Sequence, residues 1–208
     1  MKAVRQTAGE TAKYKGKIAT TYYYSTSSGR TTTTAAWGST SSAATGYLKS
    51  VRVSGKNGDY EKNLPWYRWT VDVTAARLST ILYKNTGKDV GSIRKIYISK
   101  RGPGKVALEL KVKGDKGNLT IKTENKIRSA LAGDYDIRKQ DGSKVKFRTL
   151  LPSAFITITK KKSQIHIRGG GFGHGIGMSQ TGANEMAKQG KTYKEILKLF
   201  YSDITVEN

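Results

Sequence analysis

The chain contains no cysteine and only two histidines, His166 and His174, in 208 residues. The first absence excludes disulfides and thiolate metal sites. The second leaves too few imidazoles for an all-protein zinc centre. Acids are scarce as well: 15 Asp and Glu stand against 38 Lys and Arg, a formal net charge of +23. No apolar run reaches the length of a membrane span, and Met1-Lys-Ala-Val-Arg-Gln6 leads into no apolar signal core, so no export signal is visible in the sequence as it stands.

What is present is enough for a folded domain. With 36% apolar and 9% aromatic residues the chain can bury a real core, and its length suits one domain or a compact two-lobed one. The positive charge is spread along the chain, from Lys13 to Lys17, through Arg94-Lys95, Lys100-Arg101 and Lys111 to Lys116, to Lys160-Lys161-Lys162. Such a distribution suits a polyanionic environment, whether nucleic acid, an anionic membrane face, or a cell wall rich in phosphates and carboxylates. The usual marks of nucleic-acid binding are missing: there is no basic amphipathic helix, no zinc-finger spacing and no aromatic RNP-like strand.

The densest signal is Arg168-Gly-Gly-Gly-Phe-Gly-His-Gly-Ile-Gly-Met-Ser-Gln-Thr-Gly-Ala183, with glycine at every second position from Gly169 to Gly177. Glycine loses the most backbone entropy on folding and offers no side chain to bury, so this run is not a packed core strand; it serves close approach of main chain to something else. It matches neither G-x-G-x-x-G nor G-x-x-x-x-G-K-[S/T], which excludes the two common phosphate-cradling loops. Its enclosed Phe172, His174, Ile176 and Met178 also argue against a plain flexible linker. A short helix is expected over Ala183 to Gln189, ending at Gly190, with Ser179 as an N-cap candidate.

Elsewhere the pattern predicts strands at Ile18–Tyr24, Tyr67–Val73, Ile93–Ser99, Val106–Val112, Leu119–Thr123, Ala154–Thr159 and Gln164–Arg168. Helices are expected from Thr74 through Leu82, over Glu124–Leu131, and from the capping box Thr192-Tyr-Lys-Glu195 to Tyr201. The Ser/Thr-rich run from Thr31 to Thr45 reads as an ordered loop around Trp37-Gly38. The fold class is α+β, a mostly antiparallel sheet with short helices and a C-terminal helical pair after the glycine-rich loop. The whole of residues 1–208 reads as one domain, with a weak lobe boundary near 54–62, where Gly, Asn, Asp and Lys cluster.

Taken in order, several segments are recognisable: Tyr24-Ser-Thr-Ser-Ser-Gly-Arg-Thr31, Trp37-Gly38, Tyr47-Leu-Lys-Ser-Val51, Trp66-Tyr-Arg-Trp69, Lys126-Ile-Arg-Ser-Ala-Leu131, Gly173 to Ala183 and Ala187 to Leu197. Over almost its whole length the chain resembles the stage II sporulation protein D family, which includes the amidase-enhancer wall proteins. The resemblance implies a cell-envelope or extracellular protein acting on peptidoglycan, with glycan strands, anionic wall polymers and a wall amidase as partners and no cofactor. Its sporulation members look like lytic transglycosylases acting on strands stripped of stem peptides, a reaction in which one carboxylic acid can serve as acid and then base.

The family carries the glutamate it is held to use for catalysis in an N-terminal helix resembling P-x-E-A-L-K-A-Q-A-x-A-A-R-T-Y, which residues 1–16 do not match. Glu10 is not a substitute, so no catalytic residue is assigned and the chain alone is expected to be inactive. Of the remaining carboxylates, Asp59, Glu61 and Glu185 are expected to be solvated or salt-bridged surface charges. The resemblance extends to relatives with His and Cys near the Ser-rich loop, residues suited to zinc; Tyr24, Ser27 and Ser28 stand in those places here, so no metal is expected. The glycan-binding candidates are Tyr23, Ser25, Ser27, Arg30, His174, Ser179 and Gln180. His174 could donate to a sugar or brace the loop, Ser179 and Gln180 could cap the following helix or bind glycan, and Arg30 could meet a substrate carboxylate or pair locally. The alternative function is a basic nucleic-acid-binding protein, although nucleic acid is not the expected partner.

Overall fold

The computed structural model describes residues 2–39 and 43–207. Helix α1 (Lys2–Gln6) precedes β1 (Thr11–Tyr14), β2 (Lys17–Ile18), β3 (Tyr23–Tyr24) and a 3-10 turn at Thr34–Trp37. The hairpin β4 (Ser54–Gly55) and β5 (Gly58–Asp59) leads through a second 3-10 turn, Pro65–Tyr67, into β6 (Trp69–Thr74) and α2 (Ala75–Thr86). Then come β7 (Ile93–Arg101), β8 (Ala107–Gly114), β9 (Asn118–Lys122), α3 (Glu124–Ala130), β10 (Asp136–Lys139), β11 (Lys144–Lys146), β12 (Ile156–Lys161) and β13 (Gln164–Gly169). The chain closes with β14 (Met178–Ser179), α4 (Gln180–Lys188), α5 (Tyr193–Phe200) and β15 (Ile204–Glu207).

The fold is α+β, with five short helices and mostly antiparallel pairing among the described residues, as the sequence predicts. Its largest sheet has the order β11-β10-β6-β13-β12. Strand β6 alternates as a half-buried strand must: Trp69, Val71 and Val73 face inward while Asp72 and Thr74 point out. Across from it β13 buries Ile165 and Ile167 and carries His166 directly opposite Asp72, where Nδ1 and Oδ1 meet at 2.6 Å. Helix α2 starts because the Thr74 hydroxyl accepts from Arg77 N–H, and it stops at Gly87 in the left-handed region. It buries Leu78 and Leu82, one turn apart, and each fully buried leucine contributes roughly 1.5–3 kcal/mol.

Several boundaries differ from the sequence pattern. The expected strand Ile18–Tyr24 divides into β2 and β3, because β2 pairs with β1 and β3 pairs with β14. Helix α4 begins at Gln180 instead of Ala183, since the Ser179 hydroxyl accepts from Gly182 N–H and caps it there. The capping box at Thr192 and Glu195 opens α5 as expected. The Thr31–Thr45 loop is ordered around its 3-10 turn up to Ser39, while residues 40–42 of it, like Met1, lie outside the described residues. Strands β1, β10, β11 and β15 carry no expectation from the sequence; β1 pairs with β15 from Thr11 opposite Glu207 to Tyr14 opposite Ile204.

Candidate functional site

The glycine run is a buried loop laid along the Ser-rich loop. It begins at Gly169, opposite Trp69 in the register, where any Cβ would run into the indole. The same indole donates from Nε1 to the Gly171 carbonyl at 3.0 Å. Further along, Thr26 and Phe172 exchange a pair of backbone bonds, at 3.0 and 2.7 Å, and Thr32 N–H donates to the Gly175 carbonyl at 2.7 Å. The run ends in β14, which pairs parallel with β3, Met178 against Tyr23 and Ser179 against Tyr24. At Gly177 the backbone has φ 74°, and a side chain there would collide with the Tyr22 carbonyl, so only glycine allows β3 and β14 to close. The expected close approach of main chain is therefore to the protein's own Ser-rich loop.

Glu61 fastens these loops from beneath. It is fully buried, which corrects its expected place as a solvated surface charge. One carboxylate oxygen accepts from Ser27 N–H at 2.9 Å, the Ser179 hydroxyl at 2.6 Å and the Thr181 hydroxyl at 2.6 Å; the other accepts from the Ser27 hydroxyl. No cation is among these partners. The burial of a carboxylate is offset by four donors and by the N-terminus of α4, whose first turn holds Thr181 and Gly182. A Cβ at Gly182 would lie 3.0 Å from both a Glu61 carboxylate oxygen and Val53, a tighter approach than ordinary van der Waals contact. The neighbouring Asp59 sits 3.7 Å from Arg52 and accepts the Tyr67 hydroxyl at 2.6 Å, and Glu185 pairs with Lys188 at 2.7 Å; both are ion-paired, as expected, but only partly exposed.

His174 has both ring nitrogens engaged within the protein. Ile176 N–H donates to Nδ1 at 3.1 Å, which places the proton on Nε2, and Nε2 donates to the Tyr23 carbonyl at 3.1 Å. Burial lowers its pKa, the Tyr23 carbonyl opposes this, and the charge of Arg128 lowers it again. The ring lies 5.6 Å from Tyr24 and 5.3 Å from Trp37, centroid to centroid, and Trp37 meets Tyr22 edge-on at 5.0 Å. This geometry is that of a loop brace. The Arg128 beneath is itself buried against Glu124, 3.1 Å away, and donates from Nε to the Leu151 carbonyl at 2.8 Å.

Where the two loops meet on the other side, a cleft of about 750 Å³ opens. Its walls include Ser28, Gly29 and Arg30 from the Ser-rich loop and Arg168, Gly169 and Gly170 from the start of the glycine run. Arg52, Arg68, Arg101 and Lys105 complete a lining of five arginines and one lysine around a single carboxylate, Asp59. Arg68 stacks on Tyr67 at 3.8 Å and donates to the Ser28 carbonyl at 3.1 Å. Arg101 is fixed by the Lys105 and Ile156 carbonyls, both at 2.8 Å, and burial pulls its pKa down. Cations crowded against apolar Phe155 and Ile156 focus a positive potential there.

The residues singled out in the sequence thus fall into two groups. Tyr23, Arg30 and Gln180 are exposed, and Ser25 is partly so. Ser27 and Ser179 are buried with their hydroxyls on Glu61, so they support the loops from behind. Sequence reasoning missed Glu61 as an organiser and missed the cleft arginines beyond Arg30. The available signal for Glu61 was the number of hydroxyls in Ser27, Ser179 and Thr181, which need an acceptor when buried.

The chain is 30% identical over 233 aligned residues to the amidase enhancer of Bacillus subtilis (strain 168), an alignment covering 99% of this chain and 32% of that protein. It is 31% identical to the stage II sporulation protein D of the same organism, over 96% of this chain and 48% of the relative, and 31% identical to that of Bacillus amyloliquefaciens, over 98% and 49%. The chain thus spans about a third to a half of the length of these curated relatives. The family model described as domain of unknown function DUF8618 matches residues 39–177. The chain belongs to the DUF8618 family and is of the stage II sporulation protein D/amidase-enhancer type.

Proposed function

We propose that this chain is a cell-wall domain of the envelope that binds peptidoglycan glycan strands in the arginine-lined cleft between its Ser-rich loop and the start of its glycine run. The observation that carries this reading is the cleft itself: five guanidiniums and an ammonium line it with one carboxylate, and Ser28, Gly29, Arg30 and Arg68 in its wall belong to segments on which the family resemblance rests. Guanidinium forks match carboxylates bidentately. A muramoyl strand stripped of its peptides presents a carboxylate on each repeating disaccharide, so a cleft lined by several guanidiniums suits it. The exposed Tyr22 and Tyr23 on the same segment as Arg30 offer rings on which sugar faces can lie. Glu61, Ser27, Ser179 and His174 hold the loops in shape and touch no glycan. A wall amidase is the protein partner this reading suggests, in keeping with the name of the amidase-enhancer relative.

The test is co-sedimentation with purified sacculi freed of stem peptides and phosphate polymers. Wild type is expected in the pellet at moderate salt, and the Arg30→Gln/Arg168→Gln double variant is expected to bind at least ~10-fold more weakly, the loss of roughly 1.4 kcal/mol. Equal retention of both proteins, or none of either, would overturn the reading. The net charge of +23 gives nucleic acid a claim as the second reading. A gel shift across a salt series separates the two, because sequence-independent phosphate binding falls steeply with salt.

A further inference from the structure

The sheet of order β7-β8-β9 is charged on its outer face in a way its folding does not require. Its inner face buries Ile96, Leu110, Val112 and Ile121. On the other face the register sets Lys95 directly opposite Lys113, Tyr97 opposite Lys111, and Lys100 opposite Glu109. The third strand adds Thr120 beside Lys111, Asn118 beside Lys113, and Lys122 beside Glu109. Five lysines therefore share one face with a single carboxylate, and Glu109 is itself engaged by Lys111 at 3.4 Å and the Ser99 hydroxyl at 2.7 Å. Lys95, Lys100, Lys113 and Lys122 are exposed.

Directly opposed like charges destabilise an antiparallel pair, so Lys95 across from Lys113 is a cost that an external anion would relieve. Same-face residues along a strand recur every ~7 Å and neighbouring strands lie ~4.8 Å apart. That grid of ammonium groups is commensurate with successive phosphates on a short-linker phosphodiester chain. Stacking surface for bases is nearly absent: Tyr97 is the one aromatic side chain among these residues, and the Lys95 ammonium lies over its ring at 4.9 Å. Single-stranded nucleic acid binding relies on such platforms, so a phosphate polymer without bases fits better. None of these five lysines lines the arginine cleft.

We infer that the outer face of β7-β8-β9 is a docking surface for a linear polyol-phosphate polymer of the wall, separate from the glycan cleft. The inference rests on the wall reading for its choice of polymer. The experiment measures binding of the whole chain to poly(glycerol phosphate) over a salt series, for wild type, Lys95→Glu and Lys95→Glu/Lys122→Glu. Lys95→Glu replaces a repulsive pair with an attractive one across to Lys113, so it is expected to fold at least as well as wild type, which thermal unfolding checks. The double variant is expected to bind the polymer about 10-fold or more weakly at 0.1 M salt, with a salt slope shallower by roughly 1 per lysine removed. Its binding to phosphate-free sacculi is expected to be unchanged. Unaltered polymer binding in the double variant would overturn the inference, and so would single-stranded DNA of equal phosphate number binding as tightly as the polymer. Failure of the wall reading shows separately, as lack of wild-type binding to phosphate-free sacculi.

Discussion

The Ser179 hydroxyl donates to the Glu61 carboxylate at 2.6 Å, across 118 residues of chain, while the same oxygen of Ser179 accepts from Ser27 N–H at 3.1 Å and Gly182 N–H at 3.3 Å. One serine thereby ties the Ser-rich loop, the segment after β5 and the start of α4 into a single unit. Removing the carboxylate should leave buried donors without an acceptor. Glu61→Ala is expected to lose about 3 kcal/mol or more of stability, because each unsatisfied buried group costs roughly 1–3 kcal/mol. Glu61→Gln keeps one acceptor oxygen for Ser27 N–H and the two hydroxyls, and its amide can donate to the Ser27 hydroxyl, so a loss of about 1 kcal/mol is expected. Urea denaturation of the two variants checks the order, which a merely steric role for Glu61 would not produce.

His174 makes stability depend on pH. Burial holds its folded pKa below the ordinary 6.5. As pH falls below 6.5 the unfolded chain takes up a proton that the folded chain does not, so stability decreases from there down to the folded pKa and is fully present above 6.5. His174→Gln is expected to remove this part of the slope. Comparing the urea midpoints of wild type and variant between pH 7.5 and 5 tests it, and the difference should shrink as pH falls.

Arg128 adds to that effect and also compensates a buried acid. Burial raises the pKa of Glu124 and Arg128 opposes this. Arg128→Met is expected to cost about 3–5 kcal/mol, the usual result of removing one partner of a buried pair. It should also shift the His174 titration upward, since the guanidinium no longer disfavours the imidazolium. Histidine ring resonances followed by NMR against pH measure the second effect.

Gly177 and Gly190 share a left-handed backbone, at φ 74° and 82°, in different surroundings. A methyl group at Gly190 meets open space, whereas at Gly177 it meets the Tyr22 carbonyl, which accepts Met178 N–H at 2.9 Å. Gly190→Ala is expected to cost only the left-handed strain, about 1–2 kcal/mol. Gly177→Ala should cost roughly 3 kcal/mol or more, by adding the broken bond between the loops. Thermal unfolding of both variants separates conformational strain from steric exclusion.

The parts of this molecule that were legible in its sequence are those that local chemistry specifies. The Thr192 and Glu195 capping box is complete within four residues, β13 shows its alternation in Ile165 and Ile167, and Leu78 and Leu82 mark one face of α2. The pairing of β1 with β15 joins chain ends whose four-residue segments carry little pattern of their own. The hairpin of β10 and β11 did have a local mark, Asp141-Gly142 at its turn, with Lys139 N–H donating to the Ser143 carbonyl at 2.8 Å. Glu61 stands in Gly-Asp-Tyr-Glu-Lys-Asn, a composition that looks solvated; only the fold brings it beneath Ser27, Ser179 and Thr181. The cleft arginines were hidden for the same reason, being drawn from Arg30, Arg52, Arg68, Arg101 and Arg168 on separate elements.

The most direct measurement of the wall-glycan reading is a backbone amide NMR titration of the chain with soluble, peptide-free glycan strands. Saturable shifts are expected at Arg30, Arg68, Arg168 and Gly170, with the amides of Lys95, Lys113 and Lys122 unmoved. Shifts confined to the lysine face, or none at the cleft at millimolar glycan, would contradict it.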